Sequence, residues 1–241
     1  MFFFSVLLMG QINVKDSSIF TPLLGFSYAY QIPGFDLKKS FGPNSNLGGN
    51  FLVKTKNNWL VGVDGTFLFG SEVKDTTILD NLKNSQGWII DQNGEEAEIL
   101  LYERGYTLAA RGGKLFSFNK PNPNSGIVFL SGLGFLQHKL RIEITGNNVP
   151  ELTRDYRKGY DRLSNGFALS QFLGYQYLGN WRLINFFGGV EVTAAFTKNR
   201  RGYNYDTMKA DNQSRTGILY GIRCGWILPL YKKIPQAFYF Y

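Results

Sequence analysis

The chain has 241 residues, enough for one large or two small domains. A mean hydropathy of −0.17 and a hydrophobic share of 44% exclude a bundle of membrane helices, and a single cysteine excludes an intrachain disulfide. The net charge of +8 comes without a lysine-rich tail or nucleic-acid motif, so no nucleic-acid partner is expected, while 16% aromatics and 28 Gly suit a β-rich chain.

The first ten residues, Met1 to Gly10, are apolar. They are too few to cross a bilayer as a helix, which takes about 20 residues. They read as the core of a truncated secretory signal that lacks its basic start; the alternative is a mature apolar tail. Residues 11–231 then form the body of the protein, and 232–241 an aromatic tail.

Eight segments of the body alternate as strands do. The first, Ile19 to Gln31, sets Phe20, Leu24, Phe26, Tyr28 and Tyr30 against Thr21, Gly25, Ser27 and Gln31. The second, Leu47 to Lys54, sets Phe51 and Val53 against Asn50 and Lys54. The third, Trp59 to Phe69, is the clearest: Trp59, Val61, Val63, Phe67 and Phe69 on one face, Leu60, Gly62, Asp64, Thr66 and Leu68 on the other. The fourth, Tyr106 to Phe118, opposes Tyr106, Leu108 and Phe116 to Thr107 and Arg111. The fifth starts near Ile127 and slips phase near Gln137, at a bulge or where it leaves a membrane. The sixth runs from Phe167 to Tyr177 and the seventh from Leu183 to Thr197, with Glu191 among its polar residues. The eighth, Gly217 to Tyr231, sets Ile218, Tyr220, Ile222 and Trp226 against Arg223; Cys224 lies on its apolar face as a small hydrophobe.

The links alternate in length. Thr55–Asn58, Asn119–Ser125 and Leu178–Asn180 are short, whereas Pro33–Asn46, Gly70–Arg104, Lys139–Asn165 and Lys198–Ser214 are long. Short turns at one end and long loops at the other are the pattern of an outer-membrane barrel, and an even strand number returns both termini to the short-turn side. A soluble up-and-down barrel need not segregate its loops in this way. The expected fold is therefore all-β: a closed, antiparallel, up-and-down barrel of eight transmembrane strands, greasy face to lipid and polar face inward. Its expected location is the outer membrane.

The loops differ in charge. Gly70–Arg104 holds eight acids and three bases, net −5, and Lys198–Arg215 holds five bases and two acids, net +3. Within the acidic loop, Gln92-Asn93-Gly94-Glu95 reads as a hairpin turn flanked by Trp88-Ile89-Ile90 and Ile99-Leu100-Leu101-Tyr102. That apolar content predicts a hairpin that packs on itself and extends strands three and four, or a contact with a neighbour.

Four inward charges stand out: Asp64, Arg111, Glu191 and Arg223, each in mid-strand. An eight-stranded barrel is just wide enough for side chains to fill. Charges there must pair, so the expected role is to plug the lumen; the alternative is a gate in a narrow pore. Catalysis has little to draw on. His138 is the one histidine, no serine lies two residues from it, and there is no Gly-x-Ser-x-Gly. A lipid-modifying enzyme using His138 is the remaining enzymatic reading. One His and one Cys leave no conventional metal site, and no cofactor is expected. Lys198, Arg200 and Arg201 on the last long loop are candidates for contact with the phosphates of lipopolysaccharide or with a partner. Phe238, Tyr239, Phe240 and Tyr241 end the chain as an assembly signal, an interfacial anchor or a docking peptide.

With these strands, loops and terminal aromatics, the chain resembles the small eight-stranded outer-membrane barrels of the OmpA-like, porin-family type. The Ile32–Gly42 segment and a signal ending before Gln11 look like such barrels from Bacteroidota. The resemblance implies a structural or accessory subunit in contact with outer-membrane lipid, a partner of the barrel insertion machinery, and by analogy a component of a larger complex such as type IX secretion.

Overall fold

The computed structural model describes residues 17–118, 121–146, 148–153, 155–179 and 183–230. The signal-like residues 1–10 and the aromatic tail, including Phe238 to Tyr241, lie outside the described residues. Eight long strands close into one ring: β1 (Thr21–Phe35), β2 (Asn44–Lys54), β3 (Trp59–Gly70), β4 (Glu98–Phe116), β5 (Gly126–Thr145), β6 (Ser164–Leu178), β7 (Asn185–Asn199) and β8 (Ser214–Pro229). Each strand pairs antiparallel with its sequence neighbours, and β1 pairs with β8 from Leu23↔Pro229 to Phe35↔Gly217. Closure leaves no sheet edge, the condition for putting a sheet into lipid.

Inside and outside follow residue parity. On β3, Leu60, Asp64, Thr66 and Leu68 are buried, while Trp59, Val61, Val63 and Phe67 are exposed on the outer wall. Trp59, Phe116, Phe186 and Trp226 sit toward the short-turn end; Phe67, Tyr106, Phe167, Phe196 and Tyr220 sit toward the long-loop end. Trp59 and Phe67 on β3, Tyr106 and Phe116 on β4, and Phe186 and Phe196 on β7 are separated by roughly the 9–11 residues that a tilted strand needs to cross.

Strands four and five outrun their expected bounds. β4 begins at Glu98 rather than Tyr106, and its ladder with β5 is unbroken from Glu98↔Thr145 to Phe116↔Ile127. The phase slip near Gln137 is therefore not a bulge. Beyond the outer aromatic row the outward residues Lys139, Arg141 and Glu143 meet water, and the inward residues Leu136, Leu140 and Ile142 are buried. The chemistry of the two faces inverts where the strand leaves the apolar band, and parity itself never changes. The expected hairpin around Gly94 forms but is short: Gly94 sits at φ 83°, the Asp91 amide donates to the Glu95 carbonyl and the Ala97 amide to the Ile89 carbonyl, each at 2.8 Å, and Ile90 bridges Glu96, while Ile99 to Tyr102 continue into the pairing with β5. Strand one is also longer than expected, continuing through Ile32 to Phe35 before a short helix, α1 (Asp36–Ser40).

The lumen has three layers. At the short-turn end Leu23, Leu52, Leu60, Leu115, Val128 and Phe172 form an apolar plug. A polar middle layer follows, with Gln31, Thr66, Ser170 and Thr193 around the charged residues. The long-loop end is apolar again: Leu37, Phe41, Leu79, Leu136, Val149 and Leu152 pack together, so the loops turn inward and stopper the barrel. Gly217 on β8 makes room for this stopper, since a Cβ there would fall 2.4 Å from Leu37 Cδ1. Leu60 and Leu68, on the inward face of β3, belong to these two apolar layers, one at each end of the lumen.

A polar knot ties the short-turn end. Lys54, fully buried at the end of β2, donates to Asn124 Oδ1 (2.8 Å), Ser18 Oγ (3.0 Å) and the Ile19 carbonyl (3.2 Å). Asn124 also accepts from the Ile19 amide (2.9 Å) and donates to the Ser17 carbonyl (2.9 Å). Asn124→Ala removes these bonds together and leaves the ammonium short of an acceptor. A loss of about 1–3 kcal/mol is expected, read as the urea midpoint of the purified protein in micelles, with partial recovery in the Lys54→Met/Asn124→Ala double variant.

Candidate functional site: a four-charge ring in a sealed lumen

β3, β4, β7 and β8 each carry one charge inward at the same depth, and the structure brings all four together. Arg111 donates through Nη2 to Glu191 Oε1 at 2.5 Å and to Asp64 Oδ1 at 3.3 Å. Arg223 donates through Nη1 to Glu191 at 3.1 and 3.3 Å and through Nη2 to Asp64 Oδ2. Each carboxylate thus touches both guanidiniums, closing a ring of alternating sign. All four side chains are buried, at 2–6% exposure. Ser27 on β1 accepts from Arg223 Nη2 at 2.8 Å and Nε at 3.2 Å, which fixes the fork. Two acids and two bases cancel, so the ring buries no net charge and meets the condition for keeping ions in a low-dielectric core.

Small spaces flank the ring. One cavity of about 20 Å³ lies toward the apolar plug, against Leu130, Phe172 and Gln176; another of about 20 Å³ lies toward Thr66, Ser170 and Thr193. Each holds roughly one water, for which about 10–15 Å³ suffices. Buried leucines pack at both ends of the described lumen, above and below these cavities.

His138 faces inward from β5 in the long-loop stopper. Its ring meets Phe41 edge-on, centroids 5.5 Å apart. Its cross-strand neighbour is Ser164, whose hydroxyl donates to the Arg162 carbonyl at 3.1 Å instead of to the imidazole. Neither ring nitrogen has a hydrogen-bond partner among the described residues. A nucleophile–base pair needs such a contact, within about 2.6–3.2 Å. His138 also points away from the lipid-facing wall.

The basic loop is partly consumed by the cap. Arg201 grips Asp161 with two bonds, Nε at 2.8 Å and Nη2 at 2.5 Å, and these raise its already high pKa further. Arg200 Nε donates to Asn165 at 2.5 Å but is otherwise exposed, as is Lys198, so these two remain open to an anionic headgroup. Sequence reasoning missed the residue that joins the loops. Arg162 binds Asp75 of the second long loop (2.5 Å) and Asp206 of the fourth, linking an acidic and a basic loop through the third. The opposite loop charges were a signal that these loops meet, but nothing local singled out Arg162. Lys54 was placed on the correct face, with no sign of its burial.

Asp211 organises the fourth loop, accepting from Arg215 (2.5 Å), Asn199 (3.1 Å) and Asn204 (3.1 Å). Burial acts to raise its pKa, but these hydrogen bonds and the Arg215 charge outweigh it and bring it down from 3.8 to about 2. Because the folded pKa lies below the unfolded one, the loop's stabilisation is complete above pH 3.8 and is lost as pH falls through about 2. Hydrogen exchange of residues 200–213, corrected for intrinsic rates, is expected to speed up between those limits, and Asp211→Asn is expected to remove that dependence.

The outer wall settles the class. Phe26, Val61, Val63, Leu108, Leu133 and Ile222 form part of a continuous exposed apolar belt. Soluble monomers rarely expose more than a few hundred Å² of such surface. A closed up-and-down ring with this belt, ionic residues inside and aromatic rows at two levels is a membrane-spanning β-barrel of the outer-membrane type. No helix among the described residues is long and apolar enough to cross a membrane; the strands do the crossing.

No protein-family model and no curated protein matches the sequence. Among solved structures the chain is similar to Neisserial surface protein A, NspA, with 10% identity and a TM-score of 0.45 over 86% of this chain and 96% of that one. It is similar to Ail, the attachment invasion locus protein of Yersinia pestis, with 14% identity and a TM-score of 0.39 over 87% and 99%. It is also similar to the outer membrane protein OprG from Pseudomonas aeruginosa, with 12% identity and a TM-score of 0.36 over 90% and 99%. These likenesses are distant, and the fold rests on the chain's own ladder of hydrogen bonds.

Proposed function

We propose that this protein is a non-enzymatic, non-conducting barrel of the outer membrane that acts as a structural or accessory subunit of a larger envelope complex. The observation that carries this reading is the sealed lumen: a neutral four-charge ring between two apolar plugs. A barrel built to pass solutes keeps a polar channel. This one spends its interior on rigidity, which leaves its surfaces to work. The short turns then face the periplasm and the braced loops face outward. Lipopolysaccharide contacts Lys198 and Arg200 at the outer rim, and the aromatic tail serves the insertion machinery or a periplasmic partner. Secretion of the type IX kind and outer-membrane assembly are the complexes in which such a subunit would serve.

Site-specific photocrosslinking in cells tests the accessory role. A photoreactive residue at Trp88 on the outer cap, or at Phe118 by the short turns, is expected to trap one recurrent protein at near-stoichiometric yield. If neither position traps any protein, the barrel works alone and the subunit reading fails.

A further inference from the structure

An open groove of about 670 Å³ lies on the loop cap, between the second, third and fourth long loops. Its size falls in the range of about 300–1,000 Å³ typical of small-molecule sites. Tyr205 stands at its centre with three other tyrosines around it. Tyr160 meets it at 5.7 Å and 90°, Tyr203 at 6.1 Å and 63°, and Tyr156 at 6.4 Å and 60°. Tyr156 and Tyr203 are exposed, at 58% and 43%, so aromatic surface is open at the mouth.

The groove is built, not a chance gap between mobile loops. Asn81 donates to the Tyr160 hydroxyl at 3.0 Å and to the Tyr205 carbonyl at 3.3 Å. The Tyr205 amide donates to the Gly159 carbonyl at 3.0 Å. Its ring lies so close to Gly159 that a Cβ there would fall 2.1 Å from it. The Arg162 clamp to Asp75 and Asp206 holds the three loops in register beneath. Tyr160 belongs to the apolar stopper of the long-loop end and Tyr205 packs against it, so the floor of the groove rests on that buried cluster.

Charge selects the occupant. Of the described side chains that line the groove, Glu151 alone is charged. Aromatic faces carry negative potential, and tyrosines that share a groove with a carboxylate attract a cation that also has an apolar body. An anion would be repelled by both elements. A bare metal ion would lack ligands, since no cluster of metal-binding side chains occurs among the described residues. We propose that this groove binds an organic cation with a methylated ammonium head. The site goes beyond the accessory role argued above and does not depend on it.

The test uses the full chain in a maltoside detergent, which carries no ammonium head, and compares choline with 3,3-dimethylbutanol, its neutral isostere. Choline is expected to bind saturably by titration calorimetry, and the isostere to bind about tenfold more weakly. Tyr156→Ala is expected to weaken choline about tenfold. Glu151→Gln is expected to weaken choline severalfold and to leave the isostere unchanged. Both residues are surface-exposed, and an unchanged heat-modifiable gel shift shows that the variants remain folded. Equal affinity for the two compounds, no saturable choline binding, or an equal effect of Glu151→Gln on both ligands overturns the proposal.

Discussion

Arg223→Met is expected to lower the unfolding free energy by about 3–5 kcal/mol. The change removes the guanidinium that spans Asp64, Glu191 and Ser27. Two buried carboxylates then share Arg111 alone, and the core holds an uncompensated negative charge with almost no water to screen it. The cost is that of the charge left behind, more than that of the bonds lost. The companion variant Arg223→Met/Glu191→Leu restores neutrality and leaves Arg111 facing Asp64, 3.3 Å away. It is expected to recover most of the loss, because replacing a buried ion pair by apolar groups is often close to neutral. Urea titration in micelles, followed by the fraction migrating as the compact form, measures both. If the double variant is as unstable as the single, the ring stabilises through geometry and not through charge balance.

Val63→Arg is expected to cost about 2–4 kcal/mol, although the side chain is exposed. Val63 stands on the outer wall, next in sequence to Asp64 and opposite Ala110 on β4. In a soluble protein an arginine at so open a position would change stability by less than about 0.5 kcal/mol. In lipid it lies near mid-membrane without water or partner. Arg141→Val supplies the contrast. Arg141 shares the outer face of β5 beyond the aromatic row, pairs weakly with Glu143 at 3.4 Å, and is 54% exposed. Its removal is expected to shift stability by at most about 1 kcal/mol. Both variants are to be refolded into liposomes, since the penalty at Val63 exists only against a bilayer.

What could be read from the sequence divides along physical lines. Parity is local, so the side of each residue was legible wherever a strand crossed lipid: Asp64, Arg111, Glu191 and Arg223 were each placed inward before any of them had a partner. Their meeting in one ring depends on register and shear, which no single strand encodes. Parity also says nothing about depth. Leu23, Leu60, Leu115 and Val128 lie inward like the charges, and only the closed barrel shows them as a separate apolar layer. The outer halves of β4 and β5 were hidden because solvent changes sides there: lipid outside gives way to water, and the polar lumen gives way to a leucine stopper. A rule that seeks one greasy face reads this inversion as a slip near Gln137. The loop clamp was least legible, since Arg162 joins residues 87 and 44 positions away with no repeating pattern.

A shut lumen is the feature on which the proposed role depends. Planar-bilayer recording of the purified, refolded protein tests this directly. A ring bonded at 2.5–3.3 Å between two leucine plugs predicts a silent bilayer with no unitary steps, for the wild type and for Arg223→Met alike. Discrete conductance steps in the wild type, altered in size or selectivity by Arg223→Met, would contradict it and make the four charges a gate.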